Sequence, residues 1–345
     1  MPPARTVAAA CAAFTLTLTL SLSPAEASVA EEPFSRTTSV GVHNAYEKGT
    51  FPYFADALDS GAGLLELDVW TDEWFGNWRV NHELLGQNNN CAGATTPEEL
   101  RRGGDGDLAD CLRDVRVWHE TAPGHRPLLL KVELKKGYHA VAGLGPAEFD
   151  ALADRILGDA LFRPADLLAG EHATLDEAVR SDGWPSREAL AGKVIIYLIP
   201  GTFEQRNPFD RLWTDEEQAT YLRDLAAEGS LDRAATFPAV LGARSGDPRE
   251  RYAEDLRPWF VVFDGSAPSY LGGIDTSWYG RNGYLLVMTD AHAVSPAIDS
   301  RSPGREEAAA RVRELAEAGA TTVTSDWSGM PEVLSMVVSQ GSFAG

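Results

Sequence analysis

Short aliphatic and aromatic runs recur along the chain, separated by polar stretches long enough to hold a helix. Eight stand out, at residues 38–43, 64–70, 78–82, 128–134, 194–199, 259–263, 285–289 and 321–325, with a weaker ninth at 238–243 that competes with the sixth. Strand-length runs alternating with helix-length segments predict parallel strands joined by crossover helices. Residues 146–157, 215–227 and 304–318 carry helical spacing, and the last of these aligns Ala308, Val312, Leu315 and Ala316 before Gly319 closes it. No internal repeat or low-complexity linker interrupts the pattern. One closed (β/α)8 barrel of the TIM type, with long loops and spanning 28–345, is favoured over two smaller domains.

The early strands also show which way they face. Side chains alternate sides along a strand, so Val40 and Val42 oppose Gly41 and His43, Leu65 and Leu67 oppose Glu66 and Asp68, and Leu130 and Val132 oppose Lys131 and Glu133. In each case the apolar set packs outward on the helix layer and the polar set faces the barrel interior. The run at 78–82 breaks this rule, because Arg79 and Asn81 fall on the outward face opposite His82.

Composition adds three constraints. Arg5, an apolar stretch over 7–22 and Ala25-Glu26-Ala27 form an export signal over 1–27, and the apolar core is shorter than the ~20 residues of a membrane span. A secreted protein is therefore expected. The net charge of −21 repels nucleic acid and gives no polybasic attachment to anionic lipid, while favouring cation binding. Cys91 and Cys111 are the two cysteines beyond the signal, and in an exported chain they are expected to form a disulfide closing a Gly-, Asp- and Thr-rich loop.

Glu66-Leu67-Asp68 puts two carboxylates on one strand face, from which their oxygens can converge on a hard cation. Neighbouring strand ends deliver His43-Asn44, His82 and Glu133, and the active sites of such barrels gather at the C-terminal strand ends. The run from Ser39 to Tyr46, then Leu65 to Trp70, then Val80-Asn81-His82, then Leu130 to Glu133 resembles the X region of calcium-dependent phosphatidylinositol-specific phospholipases C. The segment from Gly319 to Asp326 resembles the final strand of the wider phosphodiesterase superfamily, and little is recognised over 140–300. The resemblance implies that Asn44, Glu66, Asp68 and Glu133 are Ca2+ ligands and that His43 and His82 are the catalytic pair. It implies a phospholipid or inositol phosphodiester substrate, transient contact with a membrane surface, and a monomer. Asp326 is a candidate substrate contact; Lys131 is either that or an internal partner of Glu133.

Competing readings remain open at this level. A glycerophosphodiester phosphodiesterase uses similar groups, but its first His is usually followed by Arg, where this chain has Asn44. A binding module without catalysis leaves the retained histidines unexplained, and so does glycoside hydrolysis by Glu66 and Glu133. Trp70, Trp74, Phe75 and Trp78 read as packing under a loop rather than as a lip entering lipid. His119, His125, His139, His172 and His292 lie outside the motifs and read as surface or structural residues.

Overall fold

The computed structural model describes residues 29–86 and 88–341, so the expected export signal lies outside the described residues. Ten strands form one sheet: β1 (Thr37–Val42), β2 (Leu64–Asp72), β3 (Asn77–Val80), β4 (Leu128–Leu134), β5 (Val194–Pro200), β6 (Thr236–Leu241), β7 (Val262–Ser266), β8 (Leu285–Thr289), β9 (Thr322–Ser325) and β10 (Val337–Ser339). Eight of them, all but β3 and β10, are parallel and closed into the expected (β/α)8 barrel by pairing of β1 with both β2 and β9. Val40, Val42, Leu65, Leu67, Leu130 and Val132 are fully buried beneath the helix layer. The predicted helix 146–157 is Pro146–Leu157, and the other two are Thr214–Ala227 and Arg305–Glu317, each within two residues of its predicted ends.

Two staves differ from the sequence reading. The run at 78–82 is not a barrel strand: β3 folds back antiparallel on β2, with Val69 opposite Val80 and Asp72 opposite Asn77. Its facing rule fails because it belongs to a hairpin outside the barrel. The weaker candidate at 238–243 is the true stave β6, disguised by Pro238, which lacks the N–H that an interior strand normally donates. The run at 259–263 lies partly before β7 and does not compete with β6, since the two pair in parallel.

Closure between β1 and β2 rests on a short parallel overlap, Gly41 opposite Leu64 and Val42 opposite Leu65. A Cβ at position 41 would lie 2.7 Å from Leu64 Cβ and 2.9 Å from a Thr324 methyl, so glycine lets three strands meet where the barrel shuts. His43 and Asn44 follow directly.

Cys91 and Cys111 are joined as expected, with an S–S distance of 1.99 Å. The stapled loop reaches the segment behind β1: Asn90 Nδ2 donates to the carbonyls of Ala45 (3.1 Å) and Phe51 (2.9 Å). Asp114, on the same helix as Cys111, accepts from the amides of Ala92 and Ala94. Replacing both cysteines by serine should lower stability by ~2–4 kcal/mol in denaturant titration, and the native protein should yield a crosslinked Cys91–Cys111 peptide before reduction. Free thiols in the folded protein would contradict the pairing.

Candidate active site

Strand alternation brings Glu66 and Asp68 from β2 and Lys131 and Glu133 from β4 into the same mouth, since Glu66 pairs with Lys131 and Asp68 with Glu133 across the ladder. Oxygens of Glu66, Asp68 and Glu133 all lie within 4.8 Å of one another. Glu66 and Asp68 are 3% and 2% exposed, so this negative charge is withdrawn from water. Burial first, then the charges of Glu133 and Glu66, push the Asp68 carboxyl up to about 7.

Two lysines answer that charge. Lys131 Nζ lies 3.2 Å from both Glu66 and Asp264, and the Tyr197 hydroxyl donates to Asp264 at 2.7 Å. Burial alone would raise Glu66, but Lys131 holds it below the ordinary carboxylate range. Lys135 Nζ bridges Asp68 (2.9 Å) and Glu133 (3.0 Å). Lys131 thus pairs with Glu66 and Asp264, rather than with Glu133 as one reading of the sequence had it.

Asn44 adopts a left-handed backbone (φ 51°), a conformation that asparagine tolerates better than most residues, and its side chain turns inward. Its Oδ1 and the Oδ1 of Asp68 are buried with no hydrogen-bond partner. Buried acceptors are normally satisfied. The three converging carboxylates, one of them with an orphaned oxygen, form an oxygen-only donor set suited to a hard divalent cation such as calcium, and the unpartnered Asn44 oxygen is a further acceptor of the same kind.

His43 sits at the edge of this cluster. Its Nδ1 lies 3.0 Å from Asp326 Oδ1 and its Nε2 3.9 Å from Glu66. Burial works against its charge, but the Asp326 hydrogen bond and the Glu66 carboxylate outweigh that and raise its pKa to about 9. The imidazole is therefore cationic at neutral pH in the metal-free protein. Asp326 is correspondingly held low by its hydrogen bond to His43.

His82 occupies a different place. The Asn81 amide donates to the Asp68 carbonyl (3.1 Å), the last bond of the β2–β3 ladder, and His82 follows on an exposed loop with Nδ1 3.1 Å from Glu83. It lies beside the cavity rather than in its wall.

The cavity itself is about 430 Å³, and His43, Glu66, Lys131, Glu133 and Asp326 line it. Lys135, Tyr197, Asp264, Asp290 and His292 complete the site or its support and were not picked out from sequence. Lys135 shares strand parity with Lys131 and Glu133, and Asp264 directly follows the apolar run 259–263, so both left a signal. His292 left none: read from sequence as a surface or structural residue, it lines the cavity. The amide of Thr202, which donates to Glu133 at 3.0 Å, is invisible to any side-chain motif.

The family model for Ca2+-dependent phosphoinositide phospholipase C matches residues 38–218. A Ca2+-dependent phosphatidylinositol-specific phospholipase C from Streptomyces antibioticus is 59% identical, with a TM-score of 0.88 over 90% of this chain and 99% of that one. A calcium-dependent phosphoinositol-specific phospholipase C from a Pseudomonas species, in an apo form with myoinositol, shares the fold at 22% identity and a TM-score of 0.68, over 92% of this chain and 100% of that one. No curated protein matches.

The charge arrangement predicts a calorimetric result. Calcium added to chelator-treated protein should raise the melting temperature, and Asp68→Asn should remove most of that rise. Lys135→Met should destabilise the metal-free protein by on the order of 3 kcal/mol, because two buried carboxylates lose their partner. It should also enlarge the calcium-dependent rise; an unchanged rise would show that Lys135 does not compete for these oxygens.

Proposed function

The chain belongs to the calcium-dependent phosphoinositide phospholipase C family, and from that premise we propose that it cleaves phosphatidylinositol-type phosphodiesters through the site at the barrel mouth. The observation that carries this reading is the convergence of Glu66, Asp68 and Glu133 next to the His43–Asp326 pair, with the unpartnered oxygen of Asn44 in the residue that follows His43. Those four oxygen-bearing residues would hold calcium, the cofactor of the family. Bound there, the ion supplies Lewis-acid charge that acidifies an attacking hydroxyl and offsets charge on phosphate oxygens.

The chain's own groups supply the remaining chemistry. An inositol hydroxyl attacks phosphorus and gives its proton to Glu66 or Glu133, forming a cyclic phosphate as the bond to the glyceride oxygen breaks. His43, kept cationic by Asp326, donates to the phosphoryl oxygen where charge builds. His82, entering from the loop beside Asp68, protonates the departing alkoxide.

A lipid substrate also requires an approach surface. Trp70 and Trp78 are buried as expected, but Trp74 and Phe75 at the β2–β3 hairpin are 90% and 83% exposed, against the packing reading. Leu85, Phe209 and Leu212 are further exposed apolar side chains in loops that follow β3 and β5. Such residues suit the interfacial layer of a bilayer, so this rim is the membrane-contacting edge of an exported enzyme. Among the described residues no helix is long and apolar enough to cross a membrane. The net charge of −21 implies that contact with anionic bilayers weakens when calcium is withdrawn.

Phosphorus NMR should show a cyclic inositol phosphate as first product, activity should vanish in excess chelator, and calcium should restore it. Sustained turnover in chelator would overturn the metal assignment. His82→Ala should lose ~10²–10⁴-fold on a substrate with an alkoxide leaving group and far less on a nitrophenyl ester, whose leaving group departs unprotonated. His43→Ala should be impaired on both; equal losses for both variants on both substrates would reverse these roles. Removing both Trp74 and Phe75 side chains should slow hydrolysis of vesicles but leave a short-chain soluble substrate unaffected.

A further inference from the structure

β9 ends at Ser325, and this residue and Asp326 after it each hold a different histidine at the cavity. Asp326 holds His43 through Nδ1, and Ser325 Oγ lies 3.0 Å from Nδ1 of His292. The Ser325 hydroxyl donates its one hydrogen to the Ser300 carbonyl (3.2 Å), so toward His292 it acts as acceptor. Nδ1 of His292 therefore carries the proton, and in the neutral ring Nε2 is left as an acceptor. Among the described residues Nε2 has no hydrogen-bond partner.

The turn that carries this ring is firmly fixed. The His292 carbonyl accepts from Ile298 (2.9 Å), and the neighbouring Ala291 carbonyl accepts from the buried Arg311 (2.6 Å). It begins at Asp290, which has a left-handed backbone (φ 53°) and lines the same cavity. Left-handed residues other than glycine cost of order 1–3 kcal/mol and tend to persist where function requires them. Among the described residues Asn44, Ala169 and Asp290 are the non-glycine cases, and two of the three are at this site. Among the described residues the Asp290 carboxylate has no hydrogen-bond partner.

With Nδ1 protonated toward Ser325, the neutral imidazole of His292 presents Nε2 as an acceptor, and the Asp290 carboxylate presents acceptors only. A phosphodiester anion presents acceptors only, so neither group is built to bind it. Both fit the hydroxyl donors of a polyol. We infer that His292 is a specificity-determining residue that accepts a hydrogen bond from a ring hydroxyl of the substrate headgroup, placing the polyol against the β8–β9 wall while the phosphate lies toward His43. The inference rests on the functional reading above and adds to it the wall that recognises the sugar ring.

The test uses the full-length, calcium-loaded protein with His292→Ala and His292→Gln. Removing the acceptor strands a substrate hydroxyl, an effect of about tenfold in binding. His292→Ala should raise KM for a soluble short-chain inositol phosphodiester about tenfold, with kcat within about threefold of wild type. It should weaken binding of free myo-inositol, read by calorimetric titration, by a similar factor. His292→Gln, whose amide oxygen can replace Nε2, should recover most of both. Calcium affinity and melting temperature should stay at wild-type values, separating recognition from a structural effect. Unchanged KM and myo-inositol affinity in His292→Ala would overturn the inference, as would a fall in kcat at constant KM. If wild-type protein cleaved no inositol phosphodiester, the functional reading would fall, while the titration with free myo-inositol would still decide the place of His292.

Discussion

Everything at the mouth of this barrel follows from packing Glu66, Asp68 and Glu133 into one small volume away from water. At an effective dielectric of about 20, two such charges 4 Å apart repel by roughly 4 kcal/mol. A fold that accepts this repulsion needs positive charge nearby, and two buried lysines supply it: Lys131 against Glu66 and Asp264, Lys135 against Asp68 and Glu133. Their positions differ in consequence. Lys131 is enclosed within the barrel by groups from β2 and β7, whereas Lys135 lies just beyond the end of β4. The unpartnered oxygens of Asn44 and Asp68 show that the lysines alone do not satisfy the site.

The barrel fixes these groups through the pleat, while the surrounding loops tune them. Parallel pairing of β2 and β4 sets Asp68 beside Glu133 without any loop being involved. Asn44 is different: its place depends on glycine at position 41, on a left-handed turn, and on the disulfide-stapled loop whose Asn90 grips the carbonyls of Ala45 and Phe51. The cysteine pair thus acts at one remove on the segment that follows Asn44, through the loop whose Asn90 holds the Ala45 and Phe51 carbonyls.

What the sequence made legible divides along the same line. Period-two alternation disclosed the facing of β1, β2 and β4, and with it Glu66, Asp68, Lys131 and Glu133, because strand parity is a local property. Whether a strand joins the barrel is not local. The hairpin strand β3 has the apolar texture of a stave, and β6 carries Pro238, so local texture ranked them in the wrong order. The aromatic cluster between β2 and β3 split for a similar reason. Trp70 is tied down by its Nε1–H bond to the Asn81 carbonyl and by the Phe203 ring, while Trp74 and Phe75 occupy the hairpin tip, beyond the reach of any core.

The two cavity histidines show how far chemistry can diverge between side chains of one type. Both are oriented through Nδ1 by the end of β9, but one partner is a carboxylate and the other a hydroxyl that has already spent its proton on a carbonyl. The carboxylate favours the imidazolium and so makes His43 a donor toward anionic oxygen. The hydroxyl, already donating to the Ser300 carbonyl, accepts from Nδ1 of His292, and in the neutral ring this leaves Nε2 as an acceptor. Ser325 closes β9 and Asp326 follows it, so two adjacent residues set these opposite polarities on two parts of a single cavity. Neither histidine carries that distinction in its own sequence context; it arises only when β1, β8 and β9 meet.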